Sequence, residues 1–287
     1  MKKLIKFISV TIMAAASLLA VFFAVSPAKS YAHAAYPGVN QAHGAEYSAY
    51  DYNQKPAKRG KGKRDFKLPD GIKNVISVKP FMLDGEKPAL AVLTGEGETF
   101  VQNVRIYVCS DARILYELKA EDGYSPDIGF FEFEKGKRFL FYSSQTGGSG
   151  GYGNYAVYKL VKSGETLLYS SATDEASFDG EFTDGGKMVL KNNASGNALT
   201  VDVGYMSRDF YSKIFSEKGK PTGEAVNVNP VSTVFPFYNG ASETFSLITY
   251  RSVTAVAEVN RLGYIEQTLN YDGATFSPSF TQFSIEF

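Results

Sequence analysis

From Ile72 onward the chain repeats one pattern. An apolar, alternating segment runs into a tight polar turn and returns as a second apolar segment. The pairs are VISVKPFMLDGEKPALAVLTG, IGFFEFEKGKRFLFYSS, SFDGEFTDGGKMVLKNN and VFPFYNGASETFSLITY. Their turns fall at Asp84-Gly85, Lys135-Gly136, Asp184-Gly185 and Asn239-Gly240. Asp-Gly and Asn-Gly supply the positive φ angles of a short hairpin turn, and the alternation is that of half-buried strands. The turns recur roughly every 50 residues, a period typical of arrays built from sheet repeats.

The second half of each unit recurs too. A loop follows the hairpin, then a strand: VRIYVCS, YAVYKLV and LTVDVGY. A further strand comes after another turn, RILYELKA in the first unit and ETLLYSS in the second. Hairpin, loop, strand, turn, strand makes a four-stranded antiparallel unit. Such a unit has two faces and must stack on its neighbours to bury both. The fold class expected is therefore all-β, of antiparallel four-stranded repeat units arranged like a β-propeller. The alternatives are an open twisted sheet or a β-sandwich. The last segment, FTQFSIEF, alternates apolar and polar and would be an aggregation-prone edge if unpaired. It is expected to pair internally and to close the array against the first unit.

The N-terminal quarter reads differently. Lys2, Lys3 and Lys6 precede an apolar run from Ile8 to Val25, and Ala32-His33-Ala34 makes an A-x-A site. Residues 1–34 are therefore expected to be a cleaved export signal, which places the protein outside the cytoplasm, secreted or in the periplasm or cell envelope. An uncleaved anchor is the rival reading. Residues 35–70 have no sustained period and form a flexible basic linker, with Lys55, Lys58, Arg59, Lys61, Lys63, Arg64 and Lys67 in one cluster. That cluster suits weak electrostatic association with an anionic envelope. Residues 71–287 make up the β-repeat domain.

Composition narrows the function. Thirty acidic and thirty basic side chains cancel, so the bulk charge calls for no nucleic acid. Cys109 is the sole cysteine, and its place in the alternating RIYVCS suits a small buried hydrophobe, with a reactive thiol or an intermolecular disulfide as the alternative. Of two histidines, His33 leaves with the signal and His43 lies in the linker. The repeat region thus offers no Ser-His-Asp or Cys-His catalysis and no imidazole zinc site. Glycan hydrolysis by two carboxyl groups is the enzymatic alternative, with Glu96, Glu98, Asp111, Asp127, Glu132 and Glu134 as candidates.

Two loops stand out as a ligand rim. The first joins FLFYSS to YAVYKL and is mostly glycine, with Gly148, Gly151, Tyr152, Asn154 and Tyr155 as its contact residues. It lacks the Lys-Ser/Thr and the helix of a phosphate loop. The second, Thr94-Gly95-Glu96-Gly97-Glu98, occupies the equivalent place in the first unit and adds Glu96 and Glu98. Loops at one end of a sheet array commonly carry binding function.

The stretch GGSGGYGNYAVYKL resembles the glycine loop and Tyr-rich strand of FG-GAP/VCBS-type repeats in secreted bacterial β-propeller-like proteins. The closing segment VFPFYNGASETFSLITYRSVTAVAEVNRLGYIEQTLNYDGATFSP is similar to the ending of such proteins. The resemblance implies a β-propeller-like architecture over residues 72–287 and, in some members, Ca²⁺ bound by an Asp-rich loop. Here the loops read MLDGEKP, FEKGKR, FTDGGK and FYNGASE, each with one Asp at most. One carboxylate does not make a calcium cage, so no cofactor is expected beyond that implied Ca²⁺. The expected function is that of a secreted, non-catalytic binding or structural module for an extracellular or envelope ligand, protein or glycan.

Overall fold

The computed structural model describes residues 68–148, 151–174 and 178–285. The segments read as an export signal and as a basic linker up to residue 67 lie outside these residues. Among the described residues there are fifteen strands and one helix, and every strand pairing is antiparallel. The chain is all-β, as its alternation predicts.

Strands β1 (Val75–Leu83), β2 (Lys87–Glu96), β3 (Phe100–Ser110) and β4 (Arg113–Lys119) form one meander. Strands β5 (Gly123–Glu134), β6 (Lys137–Gln145), β7 (Gly153–Val161) and β8 (Gly164–Ser170) form a second. Three short strands follow: β9 (Phe178–Thr183), β10 (Lys187–Asn192) and β11 (Ala198–Asp202). After helix α1 (Arg208–Ile214) a last meander runs through β12 (Val226–Asn239), β13 (Thr244–Ala255), β14 (Ala257–Tyr271) and β15 (Phe276–Ser284). All four expected hairpins are present. At the first of them Asp84 and Gly85 take φ of 52° and 75°, the left-handed region that this turn requires.

The repeat spacing suggested separate blades around an axis. Instead the units join edgewise into two sheets, of eight and seven strands. The cause is strand length. β3 outruns β4, and its free end pairs Phe100 with Tyr124 and Val101 with Gly123 of β5. β12 likewise reaches β9, pairing Val226 with Gly180. The C-terminal strand β15 does pair internally, but with β14 and not with the first unit.

Stacking of faces supplies the core. The inner face of β1–β4 packs on one face of β5–β8, through Leu93, Ile106, Leu140 and Tyr142, with Phe81 stacked on Phe130 at 4.5 Å. The opposite face of β5–β8 packs on β12–β15, through Phe139, Phe141 and Val157 against Val234, Leu247 and Leu269. The β5–β8 meander is thus a middle layer buried on both sides, which is why Phe139–Tyr142 is an unbroken apolar run. A third cluster fills the seven-stranded sheet: Met188 and Leu190 of β10 meet Val253 and Ile265, and α1 adds Ile214 and Phe215.

Helix α1 has no counterpart in the repeat pattern. Ser207 caps it, its hydroxyl accepting from Phe210 N. Phe210, Tyr211, Ile214 and Phe215 form an apolar stripe one turn apart that packs on the cluster.

Candidate functional site

The seven-stranded sheet runs β11-β10-β9-β12-β13-β14-β15 and curls so that its two end strands approach each other, with Cα atoms within 8 Å. No ladder joins them. The result is a barrel-like sheet with a seam. At one end Val201 of β11 and Phe283 of β15 both pack on the interior cluster. At the other end the seam opens into a cleft of about 940 Å³. Its walls are the end of β8 with the chain that follows (Leu168, Tyr169, Thr173, Asp174), the β10–β11 turn with the start of β11, and β15 from Phe276 to Thr281. That volume lies in the range of ligand pockets.

Two of these walls are bulged. In the β7–β8 ladder Val157 faces Tyr169 and Tyr158 faces Leu167, leaving Leu168 as an extra residue. In the β14–β15 ladder Thr268 faces Phe280 and Leu269 faces Pro278, leaving Ser279. Both extra residues line the cleft. A bulge re-aims a side chain and is a common device beside binding sites.

Beneath the cleft lies a buried polar band. On the inward face of β13 and β14, Thr249, Arg251 and Gln267 interrupt the apolar positions, and each is at most 2% exposed. Arg251 Nη2 donates to Asp174 Oδ1 at 2.6 Å, and the Tyr169 hydroxyl donates to Asp174 Oδ2 at 2.9 Å. Burial, and then the Asp174 charge, push the Tyr169 hydroxyl far above the ordinary tyrosine range. Gln267 Nε2 donates to Thr281 Oγ1 at 3.3 Å, which ties β14 to the wall of the seam. Thr249 Oγ1, across the ladder from Gln267, has no hydrogen-bond partner among the described residues. Asn192 organises the β10–β11 turn, its Oδ1 accepting from Ala194 N and Ser195 N, both at 2.9 Å.

The second sheet matches a known family. Residues 176–284 match the YybI C-terminal domain. The match begins just before β9 and takes in the whole seven-stranded sheet, seam included. Over 165 residues the chain is 22% identical to the uncharacterized protein YybI of Bacillus subtilis (strain 168), covering 56% of this chain and 63% of that relative's length. No solved structure matches. Arg251 and Gln267 thus fall inside the YybI-like sheet, and Asp174 falls in the connection just before it.

The loops singled out in the sequence lie elsewhere, at one end of the eight-stranded sheet. Tyr124 stands between them: Phe100, just after Glu98, packs edge-on against its ring at 5.1 Å, and Gly147 has no room for a Cβ because of the same ring. Gly148 and Gly151 take φ of 85° and 65° in open space. The Tyr152 carbonyl accepts from Thr146 N and Oγ1. Glu96 accepts from Asn103, and Glu98 is exposed. Asn154 Nδ2 donates to Asp122 O at 3.1 Å and to Ser144 Oγ at 3.3 Å, holding β7 to the β4–β5 connection. Tyr155 is only 5% exposed and belongs to the core between the sheets, stacked on Phe141.

Three of the six carboxylates weighed for hydrolysis are held in ion pairs. Asp111 pairs with Lys87 at 2.9 Å, Glu134 with Lys137 at 2.5 Å and Glu132 with Arg138 at 3.6 Å. The hairpin turns do not fit Ca²⁺ either. Lys135 is bound to Glu243 at 2.8 Å, Asp84 Oδ2 accepts from Lys162 N, and Asn239 Oδ1 accepts from Ala241 N, so each oxygen already serves the fold. Among the described residues no three His, Cys, Asp or Glu side chains gather as a metal site. The sequence reading missed Arg251, Asp174 and the cleft. One signal was available: Arg251 is the only charged residue in TFSLITYRSVTA, and a charge inside a buried strand demands a partner.

Proposed function

We propose that the protein is a non-catalytic binding module whose ligand lies in the seam cleft of the YybI-like sheet. The observation that carries this reading is the chemistry of the cleft. It mixes aromatic and aliphatic side chains with amides and hydroxyls, and among the described residues that line it the one carboxylate, Asp174, is held by Arg251 and Tyr169. Glycoside hydrolysis takes two carboxyl groups across the scissile bond. The protein acts outside the cytoplasm, on a protein or glycan of the envelope or surroundings; the apolar run and A-x-A site of residues 1–34 support export. The chain is a tandem of degenerate four-stranded units of the FG-GAP/VCBS kind, a reading supported by the meanders β1–β4, β5–β8 and β12–β15. In this reading the loops around Tyr124, with Gly148, Gly151, Tyr152, Glu96 and Glu98, form a second, outer contact surface.

The test incubates the full chain with panels of cell-wall glycans, plant glycans and short peptides, and measures both binding and product. Binding that Phe280→Ala weakens, with no product formed, is the expected result. Turnover of any member of the panels refutes the non-catalytic reading, and binding indifferent to Phe280 refutes the location.

A further inference from the structure

The two edges that flank the seam differ in a way that selects a ligand. β15 is protected: Pro278 has no N–H, and the bulge at Ser279 breaks the line of the strand. β11 carries neither device. Its ladder with β10 has a regular register, Lys187 facing Asp202 through to Lys191 facing Ala198. The hydrogen-bond phase of that ladder follows from its two ends. Asn192 N donates to Asn197 O at 2.8 Å, and Val203 N donates to Gly186 O at 3.0 Å. Antiparallel pairs alternate between bonded and non-bonded. Leu199 and Val201 therefore bond to β10, and Ala198, Thr200 and Asp202 turn their N–H and C=O groups outward. Ala198, Thr200 and Asp202 are exposed, and Ala198 and Leu199 line the cleft.

We infer that the cleft takes an extended polypeptide segment, which adds to the outward edge of β11 as an extra strand. This rests on the cleft being the binding site. The outward groups of Ala198 and Thr200 recur with the two-residue repeat of a strand and supply main-chain hydrogen bonds. Phe280 (56% exposed) and Leu168, aimed by the two bulges, offer apolar surface to alternate side chains of the guest. Among the described residues the cleft wall holds no Lys or Arg, and Asp174 is already compensated. The chemistry thus suits a neutral, Val- and Thr-rich segment and not an anionic polymer. The guest pairs with β11 alone. It lies where the seam is open, beside Ala198 and Leu199 of the cleft wall, because no third strand fits where Cα atoms of β11 and β15 come within 8 Å of each other.

Proline at position 200 provides the decisive variant. The Thr200 N–H faces away from β10, so Thr200→Pro spares the β10–β11 ladder and removes one donor from the guest. Thr200→Val keeps the donor and removes only the hydroxyl. The full chain is screened against an array of short Val-, Thr- and Ser-rich peptides printed beside glycans, and bound peptides are followed by amide hydrogen exchange. The expected result is peptide binding that slows exchange at Ala198 and Thr200. Thr200→Pro is expected to weaken it about tenfold, and Thr200→Val to leave it nearly unchanged. Peptide binding equally tight in Thr200→Pro, or with no change in exchange at Thr200, overturns the inference. Binding of glycans alone overturns it and leaves the binding-module reading standing. Binding of neither class removes both.

Discussion

Replacing Asp174 by alanine tests whether the polar band under the cleft holds the two sheets in place. Asp174 lies in the connection between β8 and β9, and Arg251 sits in the centre of β13; their side chains are 10% and 2% exposed. The substitution takes from the buried guanidinium the carboxylate 2.6 Å away, and from Tyr169 its acceptor. Breaking one side of a buried ion pair costs about 3–5 kcal/mol, because the buried charge left behind has lost the carboxylate that compensated it. In a folded unit of this size each kcal/mol moves Tm by about 2–4 °C, so the expected drop is roughly 6–20 °C. Differential scanning calorimetry of wild type, Asp174→Ala, Asp174→Leu, Arg251→Met and the double variant Asp174→Leu/Arg251→Met measures it. The double variant should recover most of the loss, since an apolar pair of similar volume removes both desolvated charges. A drop below about 2 °C for Asp174→Ala, under 1 kcal/mol on the same scale, refutes the reasoning. So does a double variant whose loss is the plain sum of the two singles, since coupled partners do not add.

Other outcomes follow from the packing. Phe139, 1% exposed, meets Phe133 and Tyr271 edge-on between the sheets, so Phe139→Ala should cost about 3–5 kcal/mol in chemical denaturation. Gly123 sits where β5 joins β3, and a Cβ there would stand 2.6 Å from the Gln145 carbonyl oxygen. Gly123→Ala should therefore lower Tm even though its φ is not in the left-handed region, whereas Gly136→Ala, in open space at φ 75°, should cost only about 1 kcal/mol. Burial pushes the Cys109 thiol from 9.0 up to about 11. Between those values the unfolded chain loses its thiol proton and the folded one keeps it. Stability from the buried neutral thiol is thus full below pH 9 and is lost as pH rises toward 11. A thiol reagent at pH 8 should modify Cys109 only in denaturant, and rapid labelling of the native protein would refute its burial.

The strands and the places where the chain turns were legible in the order of residues. At Asp84-Gly85, Lys135-Gly136 and Asp184-Gly185 the glycine takes the positive φ that its turn needs, whereas the fourth hairpin turns with Glu243 and not Gly240 in that region; the alternation around the turns reports burial strand by strand. The unbroken run Phe139–Tyr142 even marked the layer that is covered on both faces. Which edges met was settled by the folded packing. Two residues of β3 and one of β12 merge the meanders into two sheets, and no local signal records so few pairings. Helix α1 was hidden because its apolar stripe spans barely more than a turn. The Arg251–Asp174 pair joins residues 77 positions apart, and the seam exists because the ends of one sheet curl toward each other without bonding. Turn chemistry acts over a few bonds and can be read from neighbours in the chain. Edge pairing and cleft formation depend on long-range burial, which is settled only when distant strands compete for the same partners.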